Sequence, residues 1–168
     1  MKIPSGVTIR REGDLMVVKG PKGELIRRMR YSQVEIQVEA DEVVVSSGAR
    51  RKEITAMVGT YAAHLRNMMQ GVSVGFEYTM KVVYSHFPIQ LKIQEDKLEI
   101  NNFLGEKQAR YALLKMGVAT KVSGDEVRIT GIDKEAVGNT AANIEHATRI
   151  RNRDPRVFQD GIYLVTRA

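Results

Sequence analysis

Val34-Glu35-Ile36-Gln37-Val38-Glu39 alternates strictly between apolar and polar side chains, the period-two pattern of a strand with one dry face and one wet face. The same signal occurs earlier, where Val7 and Ile9 alternate with polar neighbours and Leu15-Met16-Val17-Val18 forms an apolar run. Turns at Gly13-Asp14 and Gly20-Pro21-Lys22-Gly23 separate these segments from a return strand over Leu25–Met29. Asp41-Glu42 makes a tight connection to β-branched Val43-Val44-Val45, so the region predicts an antiparallel meander. The period then changes. Ile54, Met57, Val58, Tyr61, Ala62, Leu65, Met68 and Met69 recur at three and four residues, one apolar stripe of a helix that Gly71 is placed to stop.

The order repeats. Ile89, Leu91 and Ile93 alternate, Glu95-Asp96-Lys97 turns, Leu98 and Ile100 continue, and Val118, Val122, Val127 and Ile129 supply later strands. Asp133 caps a second predicted helix whose inner face is Ala136, Val137, Thr140, Ala141, Ile144, Ala147 and Thr148. Particular residues recur too. Asp14, Lys52-Glu53 and His64 meet Asp96, Lys134-Glu135 and His146 at a spacing of 82, and Lys22-Gly23-Glu24 meets Leu104-Gly105-Glu106 at the same spacing. Asp41-Glu42-Val43 meets Asp125-Glu126-Val127 at 84, which implies a small insertion in the second copy. A period this long is a domain rather than a solenoid repeat. The expected fold is α+β: two tandem copies of a small antiparallel β-structure packed on one helix, over residues 1–82 and 83–168, joined through the strand-like Phe76–Ser85 with a boundary near Val82.

Charge adds a partner class. The chain carries a net +6 with a pI near 9.6, a footprint of binding to nucleic acid or another polyanion. There is no cysteine, so no disulfide, thiol nucleophile or thiolate metal site, and nothing points to an oxidising compartment. No signal-peptide stretch follows the start and no segment approaches the ~20 apolar residues that cross a bilayer, so the expectation is a cytoplasmic chain without a membrane partner. Gly20-Pro21-Lys22-Gly23 lacks the Gly-Lys-Ser/Thr ending of a phosphate loop. His64, His86 and His146 lie far apart, no serine sits in a nucleophile elbow, and no acidic pair stands out. The reading is therefore of a binding protein with no catalytic residue, metal, cofactor or small-molecule substrate.

Two segments carry the binding chemistry. The tail presents Arg149, Arg151, Arg153, Arg156 and Arg167 against Asp154 and Asp160, with Asn152 and Gln159 as amide partners. Pro155 breaks the preceding helix, and Phe158 and Tyr163 can stack or pin the segment to the sheet. The turn Asn101-Asn102-Phe103-Leu104-Gly105-Glu106-Lys107 occupies the place of the first copy's Gly20–Gly23 hairpin and suits close backbone approach to phosphate; the alternative, which the residues alone slightly favour, is a plain hairpin turn. Asn139, Asn143 and His146 add a polar stripe on the outer face of the second helix.

These motifs resemble the L-six family of large-subunit ribosomal proteins, in its archaeal-type form. The resemblance rests on Ile3-Pro4 with Gly6-Val7, Val18-Lys19-Gly20-Pro21-Lys22-Gly23, Gly59-Thr60 through Leu65-Arg66-Asn67-Met68, and Gly71-Val72 with Gly75-Phe76. Asn102-Phe103-Leu104-Gly105-Glu106-Lys107 and Asp154-Pro155-Arg156-Val157-Phe158-Gln159-Asp160-Gly161-Ile162-Tyr163 complete it along essentially the whole chain. It implies a structural constituent of the large ribosomal subunit in the cytoplasm. Its implied partners are large-subunit rRNA, at the base of the lateral stalk near the sarcin–ricin loop and the factor-binding site, and neighbouring ribosomal proteins. Most RNA contact is expected from the second domain, which carried onto this chain means Asn101, Asn102, Lys107, Asn139, Asn143, His146, Arg149, Arg151, Asn152, Arg153, Arg156, Gln159, Gly161 and Tyr163. The competing reading is a stand-alone RNA-binding or protein-adaptor module on the same doubled fold.

Overall fold

The computed structural model describes residues 1–39, 41–49, 51–154 and 156–167. Pro155, read above as the helix breaker, lies outside the described residues. Two units result, Met1–Gly75 and Phe76–Ala168.

In the first unit, β1 (Thr8–Glu12), β2 (Leu15–Gly20) and β3 (Gly23–Arg28) form one antiparallel sheet, and β4 (Glu35–Val38) pairs with β5 (Val43–Ser46) in a separate hairpin. The expected single meander is thus two sheets. Helix α1 (Lys52–Ser73) closes both: Ile9, Met16 and Val18 from one sheet and Ile36 and Val43 from the other join Tyr61, Leu65, Met69 and Val72 in one core. The helix runs two residues past the expected stop at Gly71, because Val72 is fully buried and Gly75, at φ +80°, takes the left-handed conformation instead. The Gly20–Gly23 hairpin covers this helix end. The Lys22 backbone N–H donates to the Val72 carbonyl at 2.9 Å, and its ammonium donates to that of Val74. A Cβ on Gly20 would lie 2.7 Å from the Val72 carbonyl oxygen, so glycine is required by space.

The second unit repeats the plan with additions. Its strands are β6 (Phe76–Val83), β7 (Gln90–Gln94), β8 (Lys97–Asn101), β9 (Arg110–Leu113), β10 (Val118–Ser123), β11 (Glu126–Gly131) and β12 (Gly161–Arg167), with helix α2 (Lys134–Ala147). They form sheets β7-β8-β9 and β10-β11-β6-β12. Asp133 caps α2 as expected, accepting from the Glu135 N–H at 3.0 Å. The small inner face lets α2 approach the sheets, with Val137, Thr140, Ala141 and Ile144 buried beneath it.

Strand register locates the insertion. Thr8↔Lys19 corresponds to Gln90↔Asn101, both residues 82 positions later, and Val38↔Val43 corresponds to Val122↔Val127 at 84. Leu15↔Arg28, however, corresponds to Lys97↔Leu113, whose second member is 85 later. Three residues are therefore added inside the β8–β9 turn. Gly23 pairs with Gly20 in a ladder, whereas Gly105 ends a 3-10 turn, Phe103–Gly105, so the matching Lys-Gly-Glu and Leu-Gly-Glu letters do not mark equivalent positions. Register also explains the boundary. Lys2 bridges Glu42 as Lys81 pairs with Glu126, which makes residues 1–3 the counterpart of β6. The second copy opens with β6, so the division falls at Gly75/Phe76 rather than near Val82.

Candidate nucleic-acid interface

The three inserted residues make the β8–β9 turn more than a hairpin. Asn102 and Leu104 adopt left-handed φ of 59° and 52°, and Phe103 and Leu104 turn into the core. Gly105, at φ +75°, has the Phe87 ring 3.1 Å from where a Cβ would stand. The Asn102 amide donates to the Pro88 carbonyl at 3.1 Å, Asn101 ends β8 opposite Gln90, and Lys107 is exposed. Of the candidates in this turn, Lys107 therefore projects a cation, while the Asn102 amide holds the backbone in place and Asn101 closes the β7–β8 ladder.

Arg110 ties the turn to the end of α2. Its guanidinium grips the Glu106 carboxylate with two bonds, 2.8 and 2.6 Å, and donates through Nη1 to the carbonyls of Ala147 and Arg149, each at 3.0 Å. The guanidinium carbon lies 4.3 Å from the Phe103 ring centroid. A cation from the β8–β9 hairpin thus caps the carbonyl end of α2, as Lys22 caps that of α1 from the β2–β3 hairpin. The hydrogen bond from Arg110 holds the Glu106 carboxyl below the usual glutamate range. Partial burial opposes that lowering, and the charges of Arg110 and then Arg153 add to it. Arg153 of the tail is therefore close enough to act on Glu106 of the turn. Arg110 was not among the expected site residues. Its only sequence signal is the Glu106–Arg110 spacing of four, in a segment whose alternation reads as strand.

The tail continues this surface. Arg149, Arg151, Arg153 and Arg156 are exposed, as is Asn152 at a left-handed φ of 59°. Arg153 stands over Phe158 at 4.8 Å, and Arg156 pairs with Asp154 at 3.1 Å, a contact that lowers the Asp154 pKa. The chain then enters β12 through Gly161, where a Cβ would lie 2.9 Å from the Tyr163 ring. The Tyr163 hydroxyl donates to the Gln159 carbonyl at 3.0 Å, and Phe158 packs against the core cluster. Both aromatics pin the tail, as the sequence suggested. Asp160 is buried and accepts from the Ser85 N–H at 3.4 Å.

On α2, His146 is exposed beside the tail, whereas the Asn143 amide donates to the Leu113 carbonyl at 2.8 Å and fastens the helix to β9. Asn139 is exposed but lines no part of the groove described next. His146, Arg149, Gln159 and Tyr163 come together around an open groove of about 560 Å³ between the end of α2 and the tail, floored by Ile162 and Ile150. Among the described residues no group of His, Asp and Glu is placed to hold a metal.

The comparisons accord with this architecture. The family model described as Ribosomal protein L6 matches residues 3–75 and again 87–161. The large ribosomal subunit protein uL6 of Methanospirillum hungatei is 56% identical over 168 residues, covering 100% of this chain and 96% of that protein. Its namesake in Methanothrix thermoacetophila is 54% identical, covering 98% of this chain and 94% of its own length. That of Methanosarcina mazei is 50% identical over 100% of this chain and 96% of its own. With one family match falling in each structural unit and relatives this similar along its full length, the chain belongs to the Ribosomal protein L6 family.

Proposed function

We propose that the chain is a constituent of the large ribosomal subunit in the cytoplasm and holds large-subunit rRNA with its second unit, at the base of the lateral stalk near the sarcin–ricin loop. As a member of a ribosomal protein family it is not an enzyme. The observation that carries the RNA reading is the Arg110 junction, which gathers the Asn101–Lys107 turn, the end of α2 and the arginine tail. Lys107, Arg149, Arg151, Arg153 and Arg156 then present cations from two chain segments, with Asn152 and Gln159 between them. Such an array suits phosphate and 2′-hydroxyl contacts with structured RNA, read by shape more than by sequence. The first unit faces outward in this reading and meets neighbouring ribosomal proteins. No helix of the described residues is long and apolar enough to cross a membrane.

The test replaces Arg151, Arg153 and Arg156 with Gln together. The variant should melt within a few degrees of the parent, since exposed ion pairs are worth only ~0–1 kcal/mol. It should bind an rRNA fragment spanning the sarcin–ricin loop more weakly, with a salt slope shallower by roughly two to three units. Unchanged affinity and slope would remove the tail from the RNA surface. Failure of the native protein to co-sediment with large subunits would remove the ribosomal assignment itself.

A further inference from the structure

We infer that the groove between the end of α2 and the tail is a pocket for one unstacked, amino-bearing nucleobase of the bound RNA; this rests on the RNA-binding reading of the same face. The groove has the volume of a small-molecule cleft, about 560 Å³, and two of its walls are the rings of Phe158 and Tyr163 over an Ile162 floor. The half-exposed Tyr163 ring can stack a base of any kind, while Phe158, which packs on the core and carries the Arg153 guanidinium, walls the groove beside it. The charge pattern says which part of a nucleotide enters. One side of the groove is the carbonyl terminus of α2, the negative pole of the helix, with the Glu145 carboxylate beside it. Arg110 caps that terminus, but its charge is already paired with Glu106. A phosphate beside Glu145 would meet like charge, so the phosphates belong at the rim, against Arg149, which lines the groove and is exposed, and against the exposed Arg151 and Arg153 of the adjoining tail. A neutral base with an exocyclic amine fits the interior: it stacks on the Tyr163 ring and donates toward Glu145, whose Oε1 already accepts from the Leu164 N–H at 3.1 Å while Oε2 remains as an acceptor. His146 and Gln159, both exposed, also line the groove, where they can meet a base edge. Uracil, which has no exocyclic amine, is the base the groove should take least well.

The probe is a heptauridylate whose central base is 2-aminopurine, compared with the same oligomer carrying a central abasic site and with plain heptauridylate, all titrated with the full chain. Stacking in the groove should quench 2-aminopurine and make its oligomer bind about fivefold or more tighter than the other two. Tyr163→Leu combined with Phe158→Leu keeps apolar bulk, removes both π-faces, and should bring the three affinities within about twofold. The wild-type comparison needs no variant, so a variant that failed to fold would leave the result standing. Equal affinities on the wild-type protein overturn the pocket. If all three oligomers then still weaken when the tail arginines become Gln, the RNA face itself survives. If none weakens, the RNA reading falls together with the pocket.

Discussion

Arg110→Met isolates the junction that joins the β8–β9 turn to α2. Methionine keeps most of the apolar stem against Phe103 and removes the guanidinium. Two hydrogen bonds to the Ala147 and Arg149 carbonyls disappear, along with the forked pair with Glu106. The carbonyl bonds are worth about 1 kcal/mol each. The ion pair must be discounted, since the Arg110 and Glu106 side chains are 22% and 40% exposed, and counts for ~0–1 kcal/mol. Stacking over Phe103 adds ~0.5–1 kcal/mol. Loss of the junction should cost about 2.5–4 kcal/mol. In a unit of this size that lowers the melting midpoint by roughly 10–32 °C. Arg110→Lys keeps the charge without the fork and should fall between parent and Met. Glu106 is held below its ordinary pKa, so its share of the stability is complete above about pH 5 and is lost as pH falls through that lowered value. The gap between parent and Arg110→Met should therefore narrow in acid without closing, because the carbonyl bonds persist. Thermal melts at pH 7 and pH 3, with hydrogen exchange to assign the transition to the second unit, decide the matter. A loss under about 3 °C, or a gap that widens in acid, refutes the reasoning.

Three further outcomes are expected. Ala141→Leu adds volume where the α2 face is 2% exposed and should cost ~1–3 kcal/mol, whereas the exposed Gln70→Leu should cost little; equal thermal midpoints would contradict the packing. Gly20→Ala should lower the first unit's stability because a Cβ meets Val72 at 2.7 Å, while Gly59→Ala, with open space around it in mid-helix, should raise that stability by about 0.5–1 kcal/mol; urea titration of each variant would show the opposite signs. Phe158→Ala should lower both the melting midpoint and RNA affinity, since the ring packs on the core and carries Arg153; a variant altered in affinity alone would show that the ring is not a pin.

What the sequence made legible was whatever is periodic. The stripe Ile54–Met69 and the alternation Glu35–Val38 became α1 and β4 because burial on one face imposes those periods. The doubled plan was visible because paired strands keep their register, so letters recur at 82 and 84. Its phase was hidden. Only hydrogen bonding reveals that residues 1–3 play the part of β6, and three residues give too little pattern to read as a strand. The stop at Gly71 failed because burial of Val72 outweighs the local preference of glycine. At the candidate interface the arginine-rich tail stood out by composition. Arg110 did not, because its role lies in which carbonyls it reaches, 37 and 39 residues away. Asn143 reads as an RNA-facing candidate by its type alone, and nothing in the sequence shows that its amide donates to the Leu113 carbonyl.

The central place of β6 has a consequence in time. It emerges from synthesis immediately after the first unit is complete, but its partner strands β11 and β12 begin only at Glu126 and Gly161. With β12 ending at Arg167, the final partner lags the end of β6 by roughly 4–17 s at about 5–20 residues per second. Until β11 is complete at Gly131, Phe76, Tyr78, Met80 and Val82, which become the dry face of the finished sheet, belong to a segment with two unpaired edges, and until β12 arrives one edge stays open. The nascent chain is therefore most vulnerable to strand-to-strand association, and most in need of protection by a chaperone, between the completion of its two units.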